Sequence, residues 1–162
     1  MNDTQTAHLA GVFDAAGAVT AHITKRDRYS IGYEFRPLVR VQRPHRHVPL
    51  IGKLDEYAEQ QSVGGLVEET SSGYEFEVYG PEDISNFLEP LVPYLVTNYE
   101  PAQIMLQEIV PAVEDDKHLT KQGFYELVGV VEELRESTAR SDSRYTQEYF
   151  ADEWEGDLKV QN

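Results

Sequence analysis

The apolar residues near the start of the chain are too dense for a surface helix. Residues 9–17, Leu-Ala-Gly-Val-Phe-Asp-Ala-Ala-Gly, are apolar or small except at Asp14, which predicts one helix buried on nearly all sides. Either Thr4 or Thr6 is expected to cap its start. Gly17 is expected to end it in the left-handed conformation that glycine adopts readily.

Small residues recur along this helix every four positions. Ala7, Gly11 and Ala15 form a nearly flat stripe, along which a second helix can approach closely. Two interpretations fit the spacing equally well. The stripe is either part of an ordinary buried helix in a monomer or a seam between two copies of the chain.

After residue 17, hydrophobic residues recur at every second position, which is the pattern of a strand with one buried face. Residues 18–25 alternate in this way, and Tyr33 to Arg43 alternate again before Pro44 ends the pattern. The polar positions of the two segments share one face of a predicted antiparallel pair. That face is expected to be cationic, because Arg36 and Arg40 lie on it.

Helical and strand patterns continue to the end of the chain. An amphipathic helix is predicted from Val48 to Gln61, a hairpin joins strands 66–70 and 74–79, and Gly80-Pro81 opens another helix. Further helices are predicted from Glu100-Pro101 onward and over Lys117–Ala139 and Ser143–Trp154. The predicted order is helix, two strands, helix, two strands, helix, followed by helices.

Charge divides the chain into two parts. The net charge is −15, yet residues 1–53 carry +4 and residues 54–162 carry −19. This polarity favours an anionic partner for the first third, and the excess of acid is also typical of halophilic adaptation to a salt-rich cytosol. The chain has no cysteine, which excludes disulfides and thiolate metal sites. Since it shows neither a membrane-spanning run nor a signal peptide, we expect a cytoplasmic protein without membrane contact.

The stretch Leu9 to Gly17, with Ala18-Val19-Thr20-Ala21-His22-Ile23 after it, resembles the signature of the LAGLIDADG homing endonucleases and their maturase relatives. The resemblance implies an α+β fold of αββαββα order, whose saddle-shaped antiparallel sheet lies across nucleic acid. It also implies that single-motif members dimerise through the motif helices. The expected domains are a core over 1–113, a C-terminal helical extension over 114–155 and a flexible tail over 156–162.

The sequence departs from the family signature at the position of the metal-binding acid. Ala16 stands where the family has its metal-binding acid, and Asp14 cannot replace it because two helical residues differ by about 200° in direction. Asp14 is expected to bind a neighbouring backbone or basic group. Arg43 and His47 fall where the family tends to place pocket residues. Asn98 falls near the position of a frequent lysine, and it is a weaker partner for a developing oxyanion.

The polar face of the first two strands is the predicted nucleic-acid-binding surface. Arginine and other polar side chains along a two-stranded ribbon are suited to reading the major groove. The residues assigned to this surface are Thr20, His22, Thr24, Arg26, Arg28, Tyr29, Glu34, Arg36 and Arg40. The residues assigned to the dimer interface are Ala7, Gly11, Asp14 and Ala15.

The sequence therefore predicts a sequence-specific, cleavage-deficient nucleic-acid-binding homodimer, acting as a regulator or splicing helper, with duplex DNA favoured over RNA. No cofactor or metal is expected, except Mg²⁺ if cleavage is retained. One alternative is an active Mg²⁺-dependent homing endonuclease. Another is an acidic protein-interaction module that no longer binds nucleic acid.

Overall fold

The computed structural model of the protein describes residues 2–136 and 144–159. The first seven helices and strands are α1 (Asp3–Ala16), β1 (Gly17–Lys25), β2 (Tyr33–Arg43), α2 (Val48–Gln60), β3 (Leu66–Thr70), β4 (Gly73–Tyr79) and α3 (Pro81–Leu88). Then come α4 (Tyr99–Ile104), a π-helical turn (Met105–Ile109), α5 (Val110–Glu114), α6 (Lys121–Glu136) and α7 (Gln147–Glu153). The predicted α+β class and αββαββα order are confirmed. No described helix has the length and hydropathy needed to cross a membrane.

The four strands form one antiparallel sheet of order β1-β2-β4-β3. Val39 in the centre is paired with Val19 on one side and Val78 on the other. Directly paired residues of an antiparallel sheet point to the same face, so these three valines form a row. All three are at most 1% exposed. They face the helices, and the alternate positions of β1, β2 and β4 form the opposite face, called here the open face.

The motif helix α1 is buried on one side only. Leu9, Ala10 and Phe13 pack into the core, and the Phe13 ring meets the Phe87 ring of α3 edge to face at 6.1 Å. The opposite side of α1, which includes Gly11, is exposed. The prediction of a helix buried on nearly all sides is therefore wrong for a single chain, because no other element of the described chain covers the second side.

Both ends of α1 differ from the prediction. Asn2 is the N-cap: its side chain accepts from Gln5 N at 2.9 Å, and the Gln5 side chain accepts from Asn2 N at 3.0 Å. This reciprocal capping box starts the helix before Thr4. Gly17 is extended, with φ −92° and ψ 158°, and is the first residue of β1. A glycine is required there for a different reason, since a Cβ would overlap the Phe13 ring.

The C-terminal helices complete the core beneath the first hairpin. Tyr33 of β2 lies edge to face against Phe150 of α7 at 4.9 Å, and its ring is tilted against Phe124 of α6 at 6.2 Å. These aromatic residues belong to the same buried cluster as α1 and the sheet. Thr120 caps the N-terminus of α6: its Oγ1 accepts from Gly123 N at 3.1 Å. Part of the helices predicted over 117–139 and 143–154 lies outside the described residues.

Candidate nucleic-acid interface

Strand alternation brings the predicted binding residues of β1 and β2 onto the open face. His22 pairs with Arg36, Thr24 with Glu34, and Thr20 with Leu38. Leu38 is completely buried although it points away from the main core. Polar side chains therefore surround a small apolar centre on this face.

Three arginines converge on one carboxylate at the tip of the β1–β2 hairpin. Glu34 Oε1 accepts from Arg36, with NH2 at 2.7 Å and Nε at 3.0 Å. Glu34 Oε2 lies 3.2 Å from Arg28 NH2 and 3.7 Å from Arg26 Nε. Glu34 is only 8% exposed. Its carboxylate is thus enclosed by guanidinium groups, and Tyr29 in the same turn lies under the Arg28 guanidinium at 5.2 Å.

Arg40 is the fourth arginine of the open face, and it is held by acids of β4. Its Nε lies 2.6 Å from Glu75 Oε1, and its NH2 lies 3.5 Å from Glu77 Oε1. The two glutamates also interact: a hydrogen bond with Glu77 raises the pKa of Glu75. Burial alone would raise the pKa of Glu77, but its bonds to Glu75 and Tyr79 and the charge of Arg40 lower it.

The prediction of a cationic face is corrected by these contacts. All four of its arginines are ion-paired, at Glu34 or at the β4 acids. Sequence reasoning missed Glu75, Glu77 and Tyr79 because it considered only the first two strands. The signal was present in β4, where these residues alternate with the core-facing Tyr74, Phe76 and Val78. The face combines dense polar groups with an almost balanced charge.

His22 lies at the edge of this network. Its pKa is lowered by partial burial and by the nearby charge of Arg40. The imidazole is therefore neutral at pH 7, and it offers one donor and one acceptor at the surface. Thr24 is exposed and Thr20 half-buried on the same strand.

A cleft of about 410 Å³ lies along the exposed side of α1. The structure brings the small-residue stripe of Ala7, Gly11 and Ala15 together there with Ala16 and Arg43. Arg43 comes from the end of β2. The cleft thus joins the predicted interface stripe to the position where the motif has lost its acid.

Beside the cleft, Arg43 and Arg46 form a basic group with His47, called here the basic cleft group. His47 Nδ1 receives Arg43 Nε at 3.0 Å and lies 2.6 Å from Arg43 NH2, and His47 Nε2 lies 3.2 Å from Arg46 Nε. Desolvation lowers the pKa of His47, and the charges of both arginines lower it further. Within the described chain, no carboxylate pairs with any of the three residues.

Asp14 and Asn98 join α1 to the segment before α4. Asp14 Oδ2 accepts from Val96 N at 2.7 Å, and its Oδ1 accepts from Asn98 N at 2.8 Å. The Asn98 amide donates to Phe13 O at 3.0 Å and Gly17 O at 3.3 Å, and Asn98 is 3% exposed. Both side chains are therefore occupied inside the chain. Asn98 is not among the residues that line the cleft containing Ala16.

Both the sequence and the fold are similar to those of known proteins. The DNA endonuclease I-CvuI of Chlorella vulgaris is 35% identical to the chain over 106 residues, which cover 64% of this chain and 62% of that protein's length. Its crystal structure in complex with its target superposes with a TM-score of 0.81 and 23% identity, over 92% of this chain and 91% of that chain. The chain is therefore similar in sequence to a homing endonuclease over part of its length, and it has the fold of the LAGLIDADG homing endonucleases.

A second structure of this family extends the likeness. The LAGLIDADG homing endonuclease I-LtrWI, bound to target DNA, superposes with a TM-score of 0.71 and 18% identity. The match covers 98% of this chain but 51% of that one. No model of a protein family matches the sequence.

The LAGLIDADG family resemblance implies a divalent metal held by the last motif acid, and the residues present do not fit one. Ala16 ends the motif with a methyl group. Both oxygens of Asp14 are bound to backbone N–H groups. Over residues 2–136 and 144–159, no three His, Cys, Asp or Glu side chains are grouped as metal ligands. Position 16 therefore offers no side-chain oxygen to a metal ion at this helix end.

Proposed function

We propose that the chain is a duplex-DNA-binding homodimer of LAGLIDADG descent that does not cleave its target. Its relative I-CvuI is a DNA endonuclease, and it has been crystallised in complex with its target. The observation that carries the proposal is the composition of the cleft. It retains the small-residue stripe and Arg43 but has Ala16 in place of an acid.

Two sets of side chains contribute to DNA binding in different ways. The basic cleft group has cationic donors and no described acidic partner, which is the arrangement that attracts backbone phosphate. The arginines of the open face are already paired, so they gain little from counterion release. They are suited to base edges in the major groove, where hydrogen-bond geometry decides the affinity.

The net charge strengthens this division. A chain with a net charge of −15 is repelled as a whole by DNA, so general electrostatic attraction contributes little to its affinity. Specific contacts must supply most of the free energy of binding. The expected result is recognition of a few sites, with a shallow dependence on salt.

Dimerisation is supported by the exposed side of α1 and by the neighbouring chain segment. A Cβ added at Gly11 would meet open space in the single chain. Close by in the segment bound to Asp14, Val96 is 82% exposed and Tyr99 is 47% exposed. This chain matches 51% of I-LtrWI. The rest of that protein is therefore long enough to contain a second unit of the same size. A second copy of this chain packed along α1 would supply that unit here.

The residues at the end of α1 support the proposed loss of cleavage. In-line hydrolysis of a phosphodiester needs charge stabilisation beside the scissile phosphate, and Ala16 offers no oxygen ligand. The nearest acid in the sequence is Asp14, and it is held by Val96 N and Asn98 N. Moving Asp14 toward the DNA would leave two backbone donors without an acceptor, which costs about 1–3 kcal/mol for each.

Selection from a random pool tests the proposal. Purified protein is incubated with random duplex DNA and random RNA at low and high salt, and the enriched sequences are then incubated with the protein and Mg²⁺. Enriched duplex DNA of unchanged length supports the proposal. Double-strand cuts, lost when native residues are replaced, would overturn the loss of cleavage. Enrichment of RNA alone, or of neither pool, would overturn duplex-DNA binding.

An active endonuclease is the second candidate, and the basic cleft group favours it. Arg43 and His47 remain together where the resemblance places pocket residues, at 3.0 Å between Nε and Nδ1. Cutting by the native protein would assign them to that reaction. The Ala16→Asp variant separates the two candidates, since added cleavage is expected only if the native site lacks its acid.

Substitution of Gly11 tests the dimer. Gly11→Leu should leave the fold intact, because a Cβ there meets open space, but it should block close approach of a second α1. We expect a monomer for this variant and a dimer for the native chain by light scattering. Gly52→Leu is the matched control, since Gly52 is also helical and unobstructed but lies on α2. A monomeric native chain would contradict the interface.

A further inference from the structure

Glu34 is the most enclosed polar side chain at the hairpin tip. Sequence reasoning assigned it to DNA contact together with its basic neighbours. In the fold only 8% of the residue is exposed, and guanidinium groups occupy both carboxylate oxygens. A base edge could not reach Glu34 without displacing an arginine. Its contribution to recognition must therefore pass through the arginines that it holds.

The three arginines around Glu34 are not equivalent. Arg26 is at 3.7 Å and Arg28 at 3.2 Å, each through one nitrogen, and their side chains are 53% and 69% exposed. Arg36 instead approaches with two nitrogens, at 2.7 Å and 3.0 Å. The guanidinium of Arg36 also lies over the Tyr79 ring, 5.2 Å from its centroid.

The Arg36 guanidinium is thus held at its edge by Glu34 and on one face by the ring of Tyr79. Tyr79 is fixed in turn, because its hydroxyl donates to Glu77, and burial followed by this hydrogen bond raises the pKa of Tyr79 to about 12. Glu77 is tied to Arg40 at 3.5 Å. A continuous chain of contacts therefore joins the hairpin tip to β4 across the sheet. Even so, 47% of the Arg36 side chain is exposed, so part of the guanidinium remains accessible.

We propose that Glu34 is a positioning residue that holds Arg36, against the ring of Tyr79, in the orientation that recognises guanine in the major groove. The proposal rests on the proposed function, since it assumes that the open face meets duplex DNA. Guanine presents two acceptors, O6 and N7, and arginine is the side chain that bonds both at once. Holding the planar group before binding reduces the entropy lost on contact, which sharpens discrimination.

Glu34 also restrains binding that is independent of sequence. Its charge offsets part of the combined charge of the three arginines, so they attract phosphate less strongly than three free cations would. Removing the carboxylate should therefore change two quantities in opposite directions. Affinity for unrelated duplexes should rise, and preference for guanine at one position should fall.

The experiment compares base preference position by position for four proteins: the native chain, Glu34→Gln, Arg36→Lys and Glu68→Gln. Glu68 is a matched control because it is an exposed glutamate of the same sheet, on the edge strand β3. Each duplex selected by the native protein is varied at single positions, and relative affinities are measured by competition. Arg36→Lys should reduce a guanine preference about tenfold at one position of each half-site. Glu34→Gln should reduce it about fivefold, which corresponds to a loss of about 1 kcal/mol, at that same position only.

The outcomes separate the two proposals. If the native chain enriches no duplex DNA, the proposed function fails and this inference falls with it. If the native chain selects a site but Glu34→Gln keeps the full guanine preference, only the inference is overturned. A loss spread over all positions, or an equal effect of Glu68→Gln, would also overturn it, since net charge would then explain the result.

A second measurement does not depend on DNA or on the folding of Glu34→Gln. In the free native protein, the Nε–H group of Arg36 should give a distinct NMR signal with slow exchange, because it donates to Glu34 at 3.0 Å. An averaged, rapidly exchanging signal would show that Arg36 is not held.

Glu34→Asp keeps the charge but shortens the side chain, and it should lower guanine preference to an intermediate degree.

Discussion

The two basic regions of this molecule differ in how their charge is balanced. On the open face, each of the four arginines lies beside a glutamate, at Glu34 or in β4. In the basic cleft group, Arg43, Arg46 and His47 contact one another, and no described carboxylate joins them. The chain has a large excess of acid, so the missing acid at the cleft is the more unusual arrangement.

This difference suggests two kinds of contact with one ligand. Arg43 and Arg46 both contact the His47 ring, at 3.0 Å and 3.2 Å, and their charges have no described anionic partner, so the basic cleft group is suited to bind phosphate. Paired arginines already have an anionic partner and gain little from a second one. They contribute through the direction of their hydrogen bonds. The following predictions test whether affinity and specificity are divided in this way.

The largest effect is expected from charge reversal on the open face. Arg36→Glu with Arg40→Glu places new carboxylates beside Glu34, Glu75 and Glu77, and it removes the main base contacts. Duplex binding by fluorescence anisotropy should fall at least about 30-fold, as expected when two arginine contacts worth about 1–3 kcal/mol each are lost.

The matched control for this variant is Lys53→Glu with Lys121→Glu, which changes the net charge equally. Lys53 is exposed and Lys121 is half-buried, and both lie on helices, in contact with Glu56 and Asp157. Circular dichroism checks the fold of both double variants. Retained binding by the open-face variant would favour the acidic protein-interaction module, in which nucleic acid has no part.

An intermediate effect is expected at the cleft. Arg43→Ala with His47→Ala should weaken binding about tenfold, to a similar extent for specific and unrelated duplexes, because phosphate contacts carry no base information. The slope of log affinity against log salt should become shallower by about 1 to 2. A loss confined to the specific site, with an unchanged slope, would contradict the division of roles.

The smallest effect concerns pH. Desolvation and two neighbouring arginines lower the pKa of His47 in the free protein, and a bound phosphate would raise it again. Binding then takes up a proton, so affinity should increase as the pH falls from 7.5 to 6, by less than about tenfold per pH unit. His47→Gln should flatten this profile. The remaining slope is assigned to His22, whose pKa is lowered by burial and by Arg40.

Local pattern was sufficient for most of the elements. The alternation from Tyr33 to Arg43 predicted the bounds of β2, and the turn residues 71–73 predicted the hairpin of β3 and β4. The start of α1 was wrong because Thr4 and Asn2 are both good caps. Only the reciprocal bonds of Asn2 and Gln5 distinguish them.

The candidate site was predicted less completely, for a tertiary reason. Sequence reasoning placed the arginines of β1 and β2 on one face, and strand period is enough for that. It could not show that β4, more than thirty residues later in the chain, adds Glu75 and Glu77 to the same face. Nor could spacing show that Asn98 bonds Phe13 O and Gly17 O, since that contact joins residues 85 positions apart.

What the sequence determined by itself is the identity of α1 and its missing acid. The motif from Leu9 to Gly17 and the change at Ala16 are local facts, readable without any fold. Tertiary structure decided the electrostatic character of the two basic regions. Charge balance depends on which strands become neighbours, and strand order is set by packing the whole core. The arginines of the open face and Arg43 are similar in sequence, and only the fold makes some of them paired and leaves the other without an acid.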